Sequence, residues 1–86
     1  MTKGFLTSTK LAVTSDCMVS VEFGEFENQL AVAVTFHDQS RYAYHGNQDV
    51  IKAFQRLAFQ NQIAPSEYRL GAFYNQQIRT LTTTQL

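Results

Sequence analysis

The sequence predicts an α+β domain, built as a three-stranded antiparallel β-meander that becomes four-stranded if the N-terminal arm pairs. An amphipathic helix and a shorter C-terminal helical segment are expected to cover one face. Three observations lead there. Apolar residues alternate from Cys17 to Phe23 and again from Leu30 to Phe36, the period of strands with one buried face. They recur at spacings of three and four from Val50 to Ala58, the period of one helix face. The links between the alternating stretches are too short for crossover connections, so neighbouring strands must pair antiparallel.

The elements follow in order. Residues Met1 to Ser15 are rich in Thr, Ser and Lys and read as an arm or as a short extra strand around Leu11 to Val13. Cys17, Val19, Val21 and Phe23 form the buried face of the first strand, which Gly24 and the polar stretch to Asn28 break. Leu30, Val32, Val34 and Phe36 form the second strand, with Ala31, Ala33 and Thr35 on its other side. After the turn His37 to Ser40, Arg41 to His45 makes the third. Asn47 can cap the helix that follows, since its short side chain accepts from free first-turn amides. Asp49 then suits the positive end of the helix dipole, and Asp49 to Gln60 is the expected helix. Asn61 to Pro65 reads as a loop. Ser66 to Leu70 is a short helical turn stopped by Gly71, and Phe73 to Arg79 is a second helical segment. Thr80 to Leu86 is expected to fray.

No repeat or linker divides the 86 residues, so residues 1–86 make a single domain. A hydrophobic content of 44% supports a packed core and argues against disorder. Seven basic residues balance seven acidic ones, which disfavours nonspecific binding powered by phosphate neutralisation. The balance is uneven along the chain. Lys52, Arg56, Arg69 and Arg79 face only Asp49 and Glu67 after Gly46, whereas acids dominate before it. The lone cysteine, Cys17, reads as a buried small hydrophobe. With no long apolar run, a location off the membrane and in the cytoplasm is expected.

The face taken by Tyr42 and Tyr44 depends on hairpin parity, because a slip of one residue turns every side chain over. A two-residue loop, Asp38-Gln39, would place both rings over Ala33 and Thr35 as an open stacking platform, but it needs a primed turn of positive φ that Gln39 suits poorly. A three-residue loop, His37 to Gln39, pairs Val34 with Tyr42 and turns both rings into the core, at the cost of a left-handed Gln39. Core continuity favours the second register, since the third strand would otherwise offer the helix only Arg41, Ala43 and His45.

From Ser15 to Leu81 the chain resembles the KTSC domain, a small family found at the C-terminus of some lysyl-tRNA synthetases and as stand-alone proteins. The residues that carry the resemblance are the LAVAVTF strand, Tyr42-x-Tyr44, Gly46, Leu57-Ala58 and the ending GAFYNQQIR from Gly71 to Arg79. The chain departs from the family's pattern at Ser15-Asp16 (usually Ser-Ser), at Gln39 (usually Gly) and at Asn47-Gln48 (often Val-Pro). Its Phe59 to Leu70 stretch is also longer. The resemblance implies an α+β fold and suggests RNA binding.

No residue set points to catalysis. His37 and His45 lack companions at ligand spacing, so no metal is expected. Glu22, Glu25 and Glu27 read as a solvated acidic rim. Ser40, His37 and Asp38 are turn neighbours without the order of a triad, and no Gly-rich phosphate loop is present. The expectation is a noncatalytic binding module without a cofactor, taking RNA or a nucleotide through Arg41, Tyr42, Tyr44, Asn75 and Arg79. The alternative is a protein–protein interaction module, such as a small host-directed inhibitor or an oligomeric sponge for a signalling nucleotide. The uncharged Ala31, Ala33, Thr35 and Ala43 face motivates that alternative and a homo-oligomer with it.

Overall fold

The computed structural model describes residues 4–86, which form an α+β domain. Five antiparallel strands lie in sequence order: β1 (Leu6–Ala12), β2 (Met18–Phe26), β3 (Gln29–Phe36), β4 (Arg41–His45) and β5 (Thr82–Gln85). Helix α1 (Gln48–Ile63) packs on one face of the sheet. The short α2 (Gly71–Phe73) continues directly into a π-helical turn, Tyr74–Ile78. No helix of the described residues is long and apolar enough to cross a membrane.

The core lies between the sheet and the helices. Phe54 of α1 meets Phe23 of β2 edge-on at 6.0 Å and stacks on Phe73 of α2 at 5.7 Å. Leu11, Met18, Val21, Val32, Val34, Tyr44, Ile51, Ala58, Leu70 and Ile78 complete the buried set. Asn47 caps α1, its Oδ1 accepting from the Val50 amide at 3.2 Å.

The third strand settles on the three-residue loop. Val34 pairs with Tyr42 and Val32 with Tyr44, so both rings join the helix side of the sheet. The Gln39 amide donates to the Phe36 carbonyl, and Gln39 stands at φ 70°. The left-handed residue completes a type I turn closed by a bulge.

Several expectations are corrected. The meander has five strands rather than three or four, because both ends pair. β1 takes Leu6 to Ala12 from the N-terminal arm, of which Met1 to Lys3 lie outside the described residues. The C-terminal tail does not fray, for Thr82 to Gln85 pair with His45 to Tyr42. Helix α1 extends three residues past Gln60 to Ile63. Gly71 starts a helix instead of stopping one.

Strand β2 departs from simple alternation at its start. Met18 pairs with Phe36 and Ser20 with Thr35, leaving Val19 as an extra residue. Such a bulge reverses parity locally. Met18 is therefore the fully buried residue, Val19 is 42% exposed, and Cys17 is exposed rather than buried. Gly24 does not break β2, which continues to a two-residue turn at Glu27 (φ 55°) and Asn28 (φ 64°). Glycine is required at position 24 by close approach. A Cβ there would lie 1.9 Å from the Leu6 carbonyl oxygen, beside the bulge in β1.

The outer face of the sheet is not a bare alanine surface. Ala31, Ala33 and Ala43 are fully buried, and Phe5 and Phe26 pack over Ala31 and Ala43. That result removes the smooth exposed face from which a homo-oligomer was expected. Glu22 is likewise no part of a solvated rim. It is buried, receiving Arg41 Nε at 2.9 Å, Arg41 Nη2 at 3.1 Å and Thr7 Oγ1 at 2.8 Å.

Candidate functional site

The five residues expected to form one site are divided by the geometry of the fold. Arg41 points to the outer face, alternating with its neighbours, and its guanidinium is held by Glu22 and lies 5.8 Å from the centroid of Phe5. Tyr42 and Tyr44 point to the opposite face. Tyr44 is 3% exposed, and its hydroxyl lies 2.6 Å from that of Tyr74. Burial, then the Tyr74 hydroxyl, holds the Tyr44 phenol well above its usual range, with the Arg79 charge acting the other way. Tyr42 is half-buried and stands edge-on to Phe36 at 6.1 Å. Neither ring offers a base an open platform.

Asn75 and Arg79 are exposed on the C-terminal helical segment. Asn75 lies inside the π-helical turn, not at the start of a helix where it could cap. In that turn the Arg79 amide donates to the Tyr74 carbonyl at 2.8 Å, a reach of five residues. Insertions of this kind recur at functional sites because they re-aim side chains. Here the turn presents Asn75 to a groove of about 600 Å³, within the range of small-molecule sites.

One wall of this groove is Thr14 to Cys17, and the other runs from Pro65 and Arg69 to Ala72 and Asn75. Ser15 folds the first wall, its Oγ accepting from the amides of Cys17 at 3.3 Å and Met18 at 3.4 Å. His37 Nε2 reaches the Ser15 carbonyl at 3.1 Å. Buried Leu70 anchors the second wall, its carbonyl accepting from the Tyr74 amide.

Asn61 joins the two walls. It is 1% exposed. Its Oδ1 accepts from the Thr14 amide at 3.0 Å, and its Nδ2 donates to the Thr14 carbonyl at 3.2 Å and the Tyr68 carbonyl at 2.7 Å. All its hydrogen-bonding capacity but one acceptor lone pair is thereby used. One amide side chain thus ties the two walls together. Sequence reading placed Asn61 in a loop and missed it. The available signal was its position, which continues the buried stripe of Phe54 and Ala58 by three residues.

Chemically, the groove's lining combines a basic residue, Arg69, an amide residue, Asn75, and an acidic residue, Asp16, with apolar Pro65 and Ala72. No family model matches the chain, and no curated protein or solved structure matches it.

Proposed function

We propose that the domain is a noncatalytic binding module whose ligand is a nucleotide, held in the groove between Thr14–Cys17 and Pro65–Asn75. The observation that carries this reading is the meeting of Arg69 and Asn75 with Ser15 and Asp16 around a rigidly braced, partly apolar cleft. Each feature suits one part of such a ligand. A guanidinium suits phosphate, an amide reads a polar base edge, and a carboxylate accepts from a ribose diol. Apolar Pro65 and Ala72 offer the flat surface that a base or sugar covers. The similarity of Gly71 to Arg79 to the KTSC ending supports the same segment. A single nucleotide is favoured over a polynucleotide, because net charge is zero and the tyrosine rings turn inward.

The test is calorimetric titration with mononucleotides, cyclic nucleotides and short single-stranded oligonucleotides. A mononucleotide or cyclic nucleotide should bind, and Arg69→Ala and Asn75→Ala should each weaken it about tenfold or more, the effect of losing ~1.4 kcal/mol. Tyr42→Phe should leave affinity unchanged. Binding indifferent to both groove substitutions, or no binding across the panel, would refute the reading.

A further inference from the structure

Exposed apolar side chains in this domain are few, and most of them fall on two chemically opposite surfaces. On α1, Lys52, Arg56, Phe59 and Ile63 follow one another at spacings of four, three and four, which align on one helix face. All four are exposed, Phe59 at 44% and Ile63 at 87%. The stripe is therefore basic in its first half and apolar in its second. It runs for about 16 Å at 1.5 Å per residue. Like the clustered exposed apolar side chains that mark interaction sites, it has no covering element.

The second surface lies at the end of the sheet nearest the β2–β3 turn. There Gly4, Leu6, Glu25, Glu27 and Asn28 enclose a hollow of about 280 Å³. Leu6, its one large apolar lining residue, is 69% exposed. This hollow is small for a drug-sized ligand, whose sites start at roughly 300 Å³, and suits one large side chain. Its rim is acidic. Among the described residues the one ion pair is Arg41 with Glu22, so Glu25, Glu27, Lys52 and Arg56 all keep their charges unspent within the chain.

We propose that the α1 stripe of one copy docks into the acidic hollow of a second copy, with Phe59 or Ile63 covering Leu6 and Lys52 and Arg56 facing Glu25 and Glu27. Charge complementarity and the matching apolar centres commit the occupant to this same chain. The uneven charge distribution of the sequence gains a physical role, since each copy carries one basic and one acidic docking surface. The two surfaces differ, so the contact is heterologous. Repeating it closes a ring or extends a filament, according to the rotation between copies.

The test is sedimentation velocity across a protein concentration series, at low and high salt. Wild type should assemble with rising concentration, and salt should weaken the assembly because exposed ion pairs are screened. Lys52→Glu with Arg56→Glu should abolish it, as should Glu25→Lys with Glu27→Lys. Mixing these two doubly substituted chains should restore assembly, because each chain's altered surface meets a complementary one on the other. The chain carrying all four changes should also assemble. Circular dichroism melts identify any variant that fails to fold, and Phe59→Ser, an exposed position, supplies a second disruption at little structural cost. A wild type that stays monomeric at high concentration overturns the proposal. So do reversals without effect, and so does a failure of the folded, mixed variants to reassemble. None of these outcomes involves the groove residues, so they leave the nucleotide reading to its own titration.

Discussion

Replacing Asn61 with alanine should be among the costliest single changes to this domain. The side chain is 1% exposed and makes three hydrogen bonds, to the Thr14 amide, the Thr14 carbonyl and the Tyr68 carbonyl. A hydrogen bond contributes about 0.5–1.5 kcal/mol net, and stranding a buried partner costs ~1–3 kcal/mol. Thr14 is an exposed residue that water can partly reach, which keeps the sum near the lower bound. Asn61→Ala should therefore cost about 3 kcal/mol, a large share of the ~5–15 kcal/mol that stabilises a typical domain. Asn61→Leu should not rescue it, because an apolar side chain fills space but leaves the same three backbone groups unpaired. Asn61→Asp should also fail near neutral pH, since a carboxylate would face two carbonyl oxygens. Urea denaturation gives the magnitude, and hydrogen exchange at the Thr14 amide gives the location. In wild type that amide should exchange slowly, and in the alanine variant it should exchange fast even where the core strands remain protected. A loss below about 0.5 kcal/mol, or an unchanged Thr14 exchange rate, would refute the clasp and with it the braced groove.

Tyr44→Ala should cost roughly 3–5 kcal/mol and Tyr44→Phe only about 1 kcal/mol, the latter removing just the bond to Tyr74; half-buried Tyr42 should lose less on truncation. Urea midpoints that rank Tyr42→Ala above Tyr44→Ala in cost would contradict the observed difference in their burial. Gly24→Ala should displace β1, since the added Cβ meets the Leu6 carbonyl oxygen at 1.9 Å, and amide exchange in Leu6 to Ala12 reports it directly. Gln39→Gly should raise the melting temperature by several degrees, because a left-handed non-glycine residue costs about 1–2 kcal/mol and glycine relieves most of it. Burial alone would raise the Glu22 carboxyl, yet the Arg41 and Thr7 hydrogen bonds hold it below the 4.5 expected of a glutamate. Its stabilising contribution is therefore fully present above that value and is lost as pH falls through it toward the lowered folded value. Glu22→Gln should flatten this acid limb of a stability–pH curve, and an unchanged limb would show that other carboxylates cause it.

Much of this fold was legible because its periods are strong. The LAVAVTF strand and the Val50 to Ala58 stripe could satisfy only a strand and a helix, and both stand where the pattern put them. The tyrosine face was legible too, since core continuity decided between two loops that Gln39 suits equally poorly. The misses share a cause, which is pairing decided by partners far along the chain. TTTQ has the β-branched residues of a strand but no apolar alternation to mark it, and β4 presents the open edge that it completes. The bulge at Val19 is invisible to alternation because it breaks alternation, so Cys17 and Met18 exchanged places. The candidate site suffered most. Arg41 looked free because its partner Glu22 lies in a neighbouring-but-one strand, and parity of β4 was not carried through to separate Arg41 from Tyr42 and Tyr44. Only Asn75 passed from the expected residues to the groove, and Ser15, Asp16 and Arg69 joined it through tertiary contact.

Helix α1 connects the two proposed surfaces, and its geometry says how far they can influence each other. Successive residues turn by about 100° around the axis, which sets Asn61 on the side of the helix opposite Phe59 and Ile63. One side clasps the groove walls while the other side carries the docking stripe. A copy seated on the stripe thus touches neither Thr14 nor Tyr68, and need not shift the helix to fit, because its contacts are exposed side chains. The helix is a rigid spacer between two sites, capped by Asn47 at one end and pinned by Asn61 at the other. An effect of assembly on affinity would require α1 to slide over the sheet, against which its own Ile51, Phe54 and Ala58 are fully buried. Packed cores resist such sliding. Assembly should consequently multiply the number of grooves without changing the affinity of each, and high salt should disperse the copies while every groove keeps its shape.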